Sequence, residues 1–250
     1  MNYGLQGRVV VISGGTSGIG LATARLCLAD GARVYLVARQ EQRGAAALAA
    51  LAPLGGEVSF MSTDVSIAGD CRQLAVKLGQ GGAGVDVLIN AAGIYQEQRL
   101  ETVTEADYTQ LMDVNVKGTL FLSQALLPLM HSKDANIINV GSDAGLTGNY
   151  GCPLYCASKG AVVALTRALA LDYAGRVRVN CVCPGDVATP MVAAQLATGN
   201  YTASELAAPY PVGRIGEPQE IAHMLCAIAS PMNSFMTGAI IAIDGGLTAS

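Results

Sequence analysis

The sequence predicts an α/β protein of three layers in a single domain spanning residues 1–250: a doubly wound parallel sheet with helices on both faces. Three observations carry this. Short β-branched runs alternate with helical segments from end to end. The runs are apolar at successive positions, so both strand faces must be covered, as in parallel sheets. No linker or low-complexity stretch divides the 250 residues, a length that one such domain can fill.

The elements follow in order. Residues 9–13 form a β-branched run and lead into a glycine-rich turn. Residues 21–30 have helical character and stop at Gly31. Residues 34–38 give a second strand, 40–51 an alanine-rich helix and 58–63 a third strand. Residues 70–78 read as a helix, 79–84 as a glycine-rich loop and 85–90 as a fourth strand. One long helix is expected over 105–130, then a strand over 135–140. A second long helix covers 155–173 and a sixth strand 177–183. A helix over 219–229 and a strand over 239–243 close the series. Residues 189–211 are the least regular and hold Gly199, Asn200 and Pro209, which marks them as a substrate-covering loop.

Composition narrows the function. Fifteen basic against 19 acidic residues give a net charge of −4, with a pI near 5.1. A nucleic-acid binder needs a basic excess and is excluded. Charged residues make up only 14% and hydrophobic residues 51%, whereas an average domain is about 25% charged. Disorder is excluded by that balance. Residues 221–243 carry no Asp, Glu, Lys or Arg and are long enough to span a bilayer. But His223, Ser230-Pro231, Asn233-Ser234 and Thr237-Gly238 interrupt them, so they read as helix, turn and strand, not as a membrane span. The first eight residues lack an apolar signal core. An odd count of seven cysteines fits reduced thiols in a cytoplasm. No metal site is expected: Cys181 and Cys183 alternate along an apolar strand, and His131 and His223 stand alone.

The first strand delivers Ser13-Gly14-Gly15-Thr16-Ser17-Gly18-Ile19-Gly20, and a helix follows. Glycines let a backbone approach a pyrophosphate, and a helix N-terminus offers unpaired N–H groups and a positive dipole end. The spacing is Gly-x3-Gly-x-Gly. No Lys-Ser/Thr follows, so it is not a P-loop. The second strand ends at Ala38-Arg39. A carboxylate there would bind the adenine ribose hydroxyls and select NAD. Ala38 cannot, while the Arg39 guanidinium suits a 2′-phosphate. NADP(H) is therefore expected over NAD(H). Asp64 can accept from the adenine amino group while Val65 packs on the ring. Asn90-Ala91-Ala92-Gly93 ends the fourth strand with small side chains that let the backbone lie along a cofactor.

Tyr155 and Lys159 are four apart and share one helix face. Ser142 follows the fifth strand, and Asn115 lies inside the expected long helix. Hydride exchange between a carbinol and a nicotinamide needs a proton acceptor near neutral pH. A free tyrosine titrates at about 10, and a nearby ammonium stabilises the phenolate. Ser142 can hydrogen-bond the substrate oxygen, and Asn115 can anchor a water chain.

At these residues the sequence resembles the short-chain dehydrogenase/reductase family, in its compact branch of about 250 residues, from about residue 5 to residue 247. Ser13 replaces the leading Thr of the family's Thr-Gly-x3-Gly-x-Gly. Ala91 replaces the second Asn of Asn-Asn-Ala-Gly. The family tetrad maps onto Asn115, Ser142, Tyr155 and Lys159 without a gap. Pro184, Gly185, Val187 and Thr189 match the segment beside the nicotinamide, and Ile243-Asp244-Gly245-Gly246 the end of the last strand. The resemblance implies a Rossmann-like sheet of seven parallel strands. It implies Tyr155 as general acid/base and Lys159 both lowering its pKa and holding the nicotinamide ribose. Ser142 would polarise the substrate oxygen, and Asn115 would carry a proton relay.

The expected substrate is a small alcohol or ketone. Tyr95, Gln96, Asp143, Ala144, residues 149–152, Asp186, Val187, Tyr201 and Tyr210 are candidate walls. A 3-oxoacyl carrier-protein reductase of the same family is the alternative; it needs a basic landing patch, for which Lys133, Arg167, Arg176 and Arg178 are candidates. A non-catalytic nucleotide sensor is the remote alternative. The shortage of charge is expected to reflect surface buried between subunits. Residues 161–171 are apolar nearly all round, as are 118–127. In the family these helices pair across a two-fold axis and the C-terminal strand makes a second contact, giving a homotetramer.

Overall fold

A computed structural model describes residues 2–82 and 84–249. Seven strands form one parallel sheet in the order β3-β2-β1-β4-β5-β6-β7. They are β1 (Val9–Ser13), β2 (Arg33–Ala38), β3 (Val58–Ser62), β4 (Val87–Asn90), β5 (Asn136–Val140), β6 (Arg178–Pro184) and β7 (Ile240–Ile243). The chain reverses direction across the sheet between β1 and β4, where Ser13 pairs with Asn90. Open sheets bind ligands beyond the strand C-termini at such a reversal.

The helices are α1 (Gly18–Ala29), α2 (Glu41–Leu51), α3 (Ala68–Gln80), α4 (Glu105–Met112), α5 (Gly118–Leu126), α6 (Pro153–Asp172), α7 (Pro190–Leu196), α8 (Ala203–Ala207) and α9 (Pro218–Ala229). On one face, α1, α2 and α9 bury Ala24, Cys27, Leu51, Leu225 and Ile228 against β1, β2 and β4. On the other, α3, α5 and α6 bury Leu74, Leu78, Leu122, Leu126 and Ala170. Both sheet faces are thus covered, and β1 and β6 are buried at every position. Local chemistry sets several starts: Pro153 and Pro218 open α6 and α9, where the missing N–H has no partner to lose, and a Thr104–Asp107 capping box opens α4.

The expected helix over 105–130 is broken. Between α4 and α5 the chain makes a π turn, Asp113–Lys117, and after α5 a 3₁₀ turn, Leu127–Leu129. Gly118 explains the seating of the first break. A Cβ there would lie 3.0 Å from Val65 Cγ2, so the helix presses directly on the segment after β3. Thr119 Oγ1 donates to the Asn115 carbonyl at 2.8 Å. Pro128 cannot continue the ladder and closes the second break. The segment 189–211 is likewise more ordered than expected, holding α7 and α8. The charge-free stretch 221–243 divides into α9, a turn and β7, as its polar residues imply. By length and composition α6 is apolar enough to cross a membrane; its Val162, Val163, Thr166 and Ala170 are buried against the body of the protein.

A buried polar chain links β4 and β5 to α5 and α6. Asn90 Nδ2 donates to Ser123 Oγ at 3.0 Å and to Asn139 Oδ1 at 2.9 Å. Asn139 Nδ2 donates to Thr166 Oγ1 at 2.9 Å. Asn139→Leu leaves a buried amide and a buried hydroxyl short of partners. It should cost about 2–4 kcal/mol, read as a lower urea midpoint with an unchanged slope.

Candidate active site

The C-terminal ends of β1, β4, β5 and β6 converge on a cleft of about 720 Å³. It is lined by the glycine-rich turn (Gly14, Ser17, Gly18, Ile19, Gly20), by Ala91 and Gly93, and by Ser142, Tyr155 and Lys159. Pro184, Gly185, Val187 and Thr189 close its far side. A more open lobe of about 920 Å³ adjoins it, bordered by Arg43, Arg99, Gln195 and Tyr201. That lobe is larger but touches none of Ser142, Tyr155 and Lys159, so the chemistry belongs to the inner cleft.

The nucleotide end is shaped by what its glycines omit. Gly14 sits at φ +68°, and a Cβ there would lie 2.8 Å from the Ala91 carbonyl oxygen; a Cβ on Gly20 would lie 2.4 Å from that of Gly14. Ser17, at the N-cap of α1, makes no side-chain cap, and the first turn holds no acid. The leading N–H groups of α1 therefore remain available to an anion. This cradle fits a dinucleotide pyrophosphate.

Asn115 occupies the π turn and is buried just behind the cleft, outside its lining. Its Oδ1 accepts from Ile94 N at 2.9 Å, and its Nδ2 donates to Ile94 O at 3.0 Å and to Ser158 Oγ at 3.1 Å. The amide thus clamps the segment that follows β4. Ser158 was not legible as a site residue; its only signal was its place on the Tyr155–Lys159 stretch.

Lys159 is 6% exposed, and Nζ donates to the Val140 carbonyl at 2.9 Å. Burial lowers its pKa to about 8, against a weaker opposing pull from the Cys181 and Cys183 thiols. Gly93 lies against it: a Cβ there would stand in ordinary contact, 3.5 Å from Nζ and 3.4 Å from Asn115 Oδ1. Nζ is 5.9 Å from the Tyr155 ring centre. Tyr95 packs edge-on against that ring, with centres 4.9 Å apart.

In this cofactor-free geometry burial raises the Tyr155 phenol well above 10, a hydrogen bond with Ser142 opposes this, and Asp143, Asp186 and Cys152 add to the rise.

Other expected residues fall outside the cleft lining. Thr16 lies in the glycine-rich turn but not in the lining. Asn90 is 3% exposed, and its amide is spent on Ser123 and Asn139; its side chain supports β4 and does not line the cleft. Asp64 Oδ1 accepts from Ser66 N and Oγ at 3.0 and 2.7 Å, and its Oδ2 lies 3.8 Å from Arg39 Nη1. Arg39 is half-exposed at the end of β2, and Val65 is buried beneath Gly118. The covering segment is tied down by Tyr201, whose hydroxyl donates to Glu97, and by Tyr210, whose hydroxyl accepts from Asp186 N at 2.7 Å. Glu97 had no distinguishing signal in the sequence. Among the described residues no cluster of His, Cys, Asp and Glu could hold a metal.

A pyrophosphate cradle at the sheet's reversal, with a half-buried Tyr155 and a buried Lys159 in the same cleft, defines a nucleotide-dependent oxidoreductase. The family model described as enoyl-(acyl carrier protein) reductase matches residues 14–248. The chain is 38% identical to 2-(S)-hydroxypropyl-CoM dehydrogenase 3 of Xanthobacter autotrophicus, across all of both chains. It is 34% identical to a 3-oxoacyl-[acyl-carrier-protein] reductase of Chlamydia pneumoniae, across 99% of this chain and 100% of that one. The solved structure of a short-chain dehydrogenase/reductase from Brucella melitensis, titled glucose/ribitol dehydrogenase, superposes with a TM-score of 0.92 at 32% identity over the whole of both chains. The chain belongs to the short-chain dehydrogenase/reductase family. It is an oxidoreductase that exchanges hydride between NAD(P)(H) and a secondary alcohol or ketone.

Proposed function

We propose that this protein reduces a small uncharged ketone, or oxidises the matching secondary alcohol, with Tyr155 as general acid/base and NADP(H) as cofactor. The observation that carries the reading is the meeting of Ser142, Tyr155 and Lys159 in one cleft with the glycine turn.

A bound nicotinamide supplies the hydride donor or acceptor. The turn from Gly14 to Gly20 would hold its pyrophosphate, and Lys159 Nζ its ribose. Tyr155 Oη gives a proton to the substrate oxygen in reduction and takes it back in oxidation. Ser142 orients that oxygen. Asn115 holds the Ile94 backbone, and with it Tyr95 against the Tyr155 ring. Glu97, Asp143, Asp186 and Glu205 line the inner cleft, where Lys159 is the one cation. Such a lining repels an anionic substrate and accepts hydroxyls, which supports a neutral alcohol, polyols included.

The second reading, a reductase of carrier-bound 3-oxoacyl groups, is supported by the 34% identity to such an enzyme. The landing patch considered for it loses two members. Arg178 is buried and donates to the Met236, Ile228 and Ser230 carbonyls. Arg176 donates to Leu127 O, and both sit at the N-terminal end of β6, opposite the cleft.

The choice of NADP(H) rests on Arg39 and on the absence of a carboxylate at Ala38. We further place the protein in the cytoplasm, since all seven cysteines are free thiols, and read it as a homotetramer. Leu120 of α5, Leu171 of α6, and Met232 and Phe235 beside β7 are exposed apolar side chains on the surfaces where such contacts would form.

Tyr155→Phe should lower turnover by roughly 10²–10⁴-fold while NADPH binding, followed by fluorescence, stays unchanged. Near-full activity would remove Tyr155 from the chemistry. Arg39→Ser should weaken NADPH binding by about tenfold and leave NADH binding unchanged; equal losses for both would contradict the 2′-phosphate role.

A further inference from the structure

Six of the seven cysteines stand in pairs with their sulfurs in contact: Cys27 and Cys226 at 3.7 Å, Cys181 and Cys183 at 3.8 Å, and Cys152 and Cys156 at 3.8 Å. The first two pairs are fully buried. Of all seven, Cys156 alone is not buried, so the third pair is the one that a small solute reaches. Cys156 N donates to the Cys152 carbonyl at 3.0 Å. That is helical spacing, which sets the two Cα atoms about 6 Å apart. Disulfides span Cα separations of about 4.4–6.8 Å, with sulfurs about 2.05 Å apart. The remaining gap closes by side-chain rotation at the N-cap of α6, where Cys152 is not yet in helical geometry (φ −141°).

The same two sulfurs hold one wall of the cleft. Asn149 N donates to Cys156 Sγ at 3.4 Å. Cys152 Sγ and Cys156 Sγ stand as donors 3.7 and 3.9 Å from the Asn149 carbonyl. Among the described residues these sulfurs are the only partners of the Asn149 backbone. Asn149 Nδ2 in turn donates to Asp143 Oδ2 at 3.0 Å, and Thr147, Gly148, Asn149 and Tyr150 line the inner cleft. A disulfide has no S–H to donate, so oxidation strips the Asn149 carbonyl of both donors.

We propose that Cys156 and Cys152 are a modification site for hydrogen peroxide, and that their disulfide releases the wall of the cleft built on Asn149. The Cys156 thiolate attacks one peroxide oxygen, the O–O bond breaks, and hydroxide leaves a sulfenic acid on Cys156. The Cys152 sulfur then attacks the Cys156 sulfur. The S–O bond breaks, the hydroxyl departs with the Cys152 proton as water, and the S–S bond forms. Two thiols and one peroxide give one disulfide and two waters, the sulfurs supplying both electrons. The order follows from exposure. Cys152 is 2% exposed, and burial together with the Cys156 sulfur pushes its thiol well above the ordinary value, so it resolves the sulfenic acid and does not meet the peroxide first. A dithiol reverses the change. Transient disulfides of this kind are compatible with a reducing compartment. Lower turnover in the oxidised form rests on the inner cleft being the substrate site; the disulfide and the loosened wall do not.

Trypsin releases residues 134–159 as one peptide that holds these two cysteines and no other. After treatment of the whole protein with hydrogen peroxide and then iodoacetamide, that peptide should carry no alkyl group and be lighter by two hydrogens. Dithiothreitol should restore two alkylation sites. In Cys152→Ala the Cys156 sulfenic acid should persist and take up dimedone. Hydrogen exchange at the amides of residues 147–151 should quicken by roughly fivefold on oxidation, the weight of about one hydrogen bond, and return with dithiothreitol. Cys156→Ser keeps a hydroxyl donor for Asn149, so its exchange should match the reduced protein and ignore peroxide. NADPH binding, followed by fluorescence, should be the same in both redox states, since the glycine-rich turn is untouched. Sulfinic acid on Cys156 without a disulfide would overturn the pairing. A disulfide with unmoved exchange at residues 147–151, or a peroxide response kept in Cys156→Ser, would overturn the release of the wall. The peptide mass and the exchange are read on the unaltered chain, so they decide the matter even where a variant fails to fold. Full activity in Tyr155→Phe would overturn the acid/base reading alone and leave both readouts as they stand.

Discussion

The burial of one ammonium organises the catalytic half of this molecule. Lys159 lies almost out of reach of solvent with a single protein acceptor, the Val140 carbonyl. A buried cation is costly unless it is paired, and among the described residues no carboxylate forms an ion pair with it. The π turn holds Asn115 against the backbone beside Gly93, next to the ammonium. The site is incomplete until a ligand supplies hydroxyl acceptors, which is why a nucleotide ribose suits it.

Around this centre the charges are unequal. Burial raises the Tyr155 phenol, Asp143 and Asp186 add to the rise, and burial weakens Lys159 as a base. Both shifts favour the neutral forms of the Tyr–Lys pair in the cofactor-free protein. The dinucleotide turn contributes the opposite sign, since the open end of α1 presents uncapped N–H groups to an anion. The cleft is divided into a positive phosphate end and an acidic substrate end.

Much of this was legible from residue order. Alternating strands and helices gave the sheet, because strands apolar on both faces have no other place to go. The glycine spacing and the Tyr155–Lys159 interval gave the two ends of the cleft, because backbone approach and helix periodicity are properties of sequence. Two things were not legible. The break at Asn115 depends on Gly118 meeting Val65, a contact between segments about fifty positions apart. The inward turn of Asn90 depends on Ser123 and Asn139, which only the folded sheet brings together. The shortage of charge also gained a partial account: both sheet faces are covered, and some exposed apolar side chains, Leu120, Leu171, Met232 and Phe235, lie on α5, α6 and the turn before β7, while others such as Ile67, Val76 and Leu100 lie elsewhere.

The central claim is that Lys159 is an abnormally weak base in the cofactor-free protein because it is buried without a carboxylate partner. The chain has only four lysines, at 77, 117, 133 and 159, so each can be resolved by ¹³C NMR after reductive methylation, with Lys159→Arg assigning the fourth signal. This signal should titrate near 8, below the ordinary lysine value of about 10.4. A Lys159 signal that titrates at that ordinary value would contradict the effect assigned to its burial.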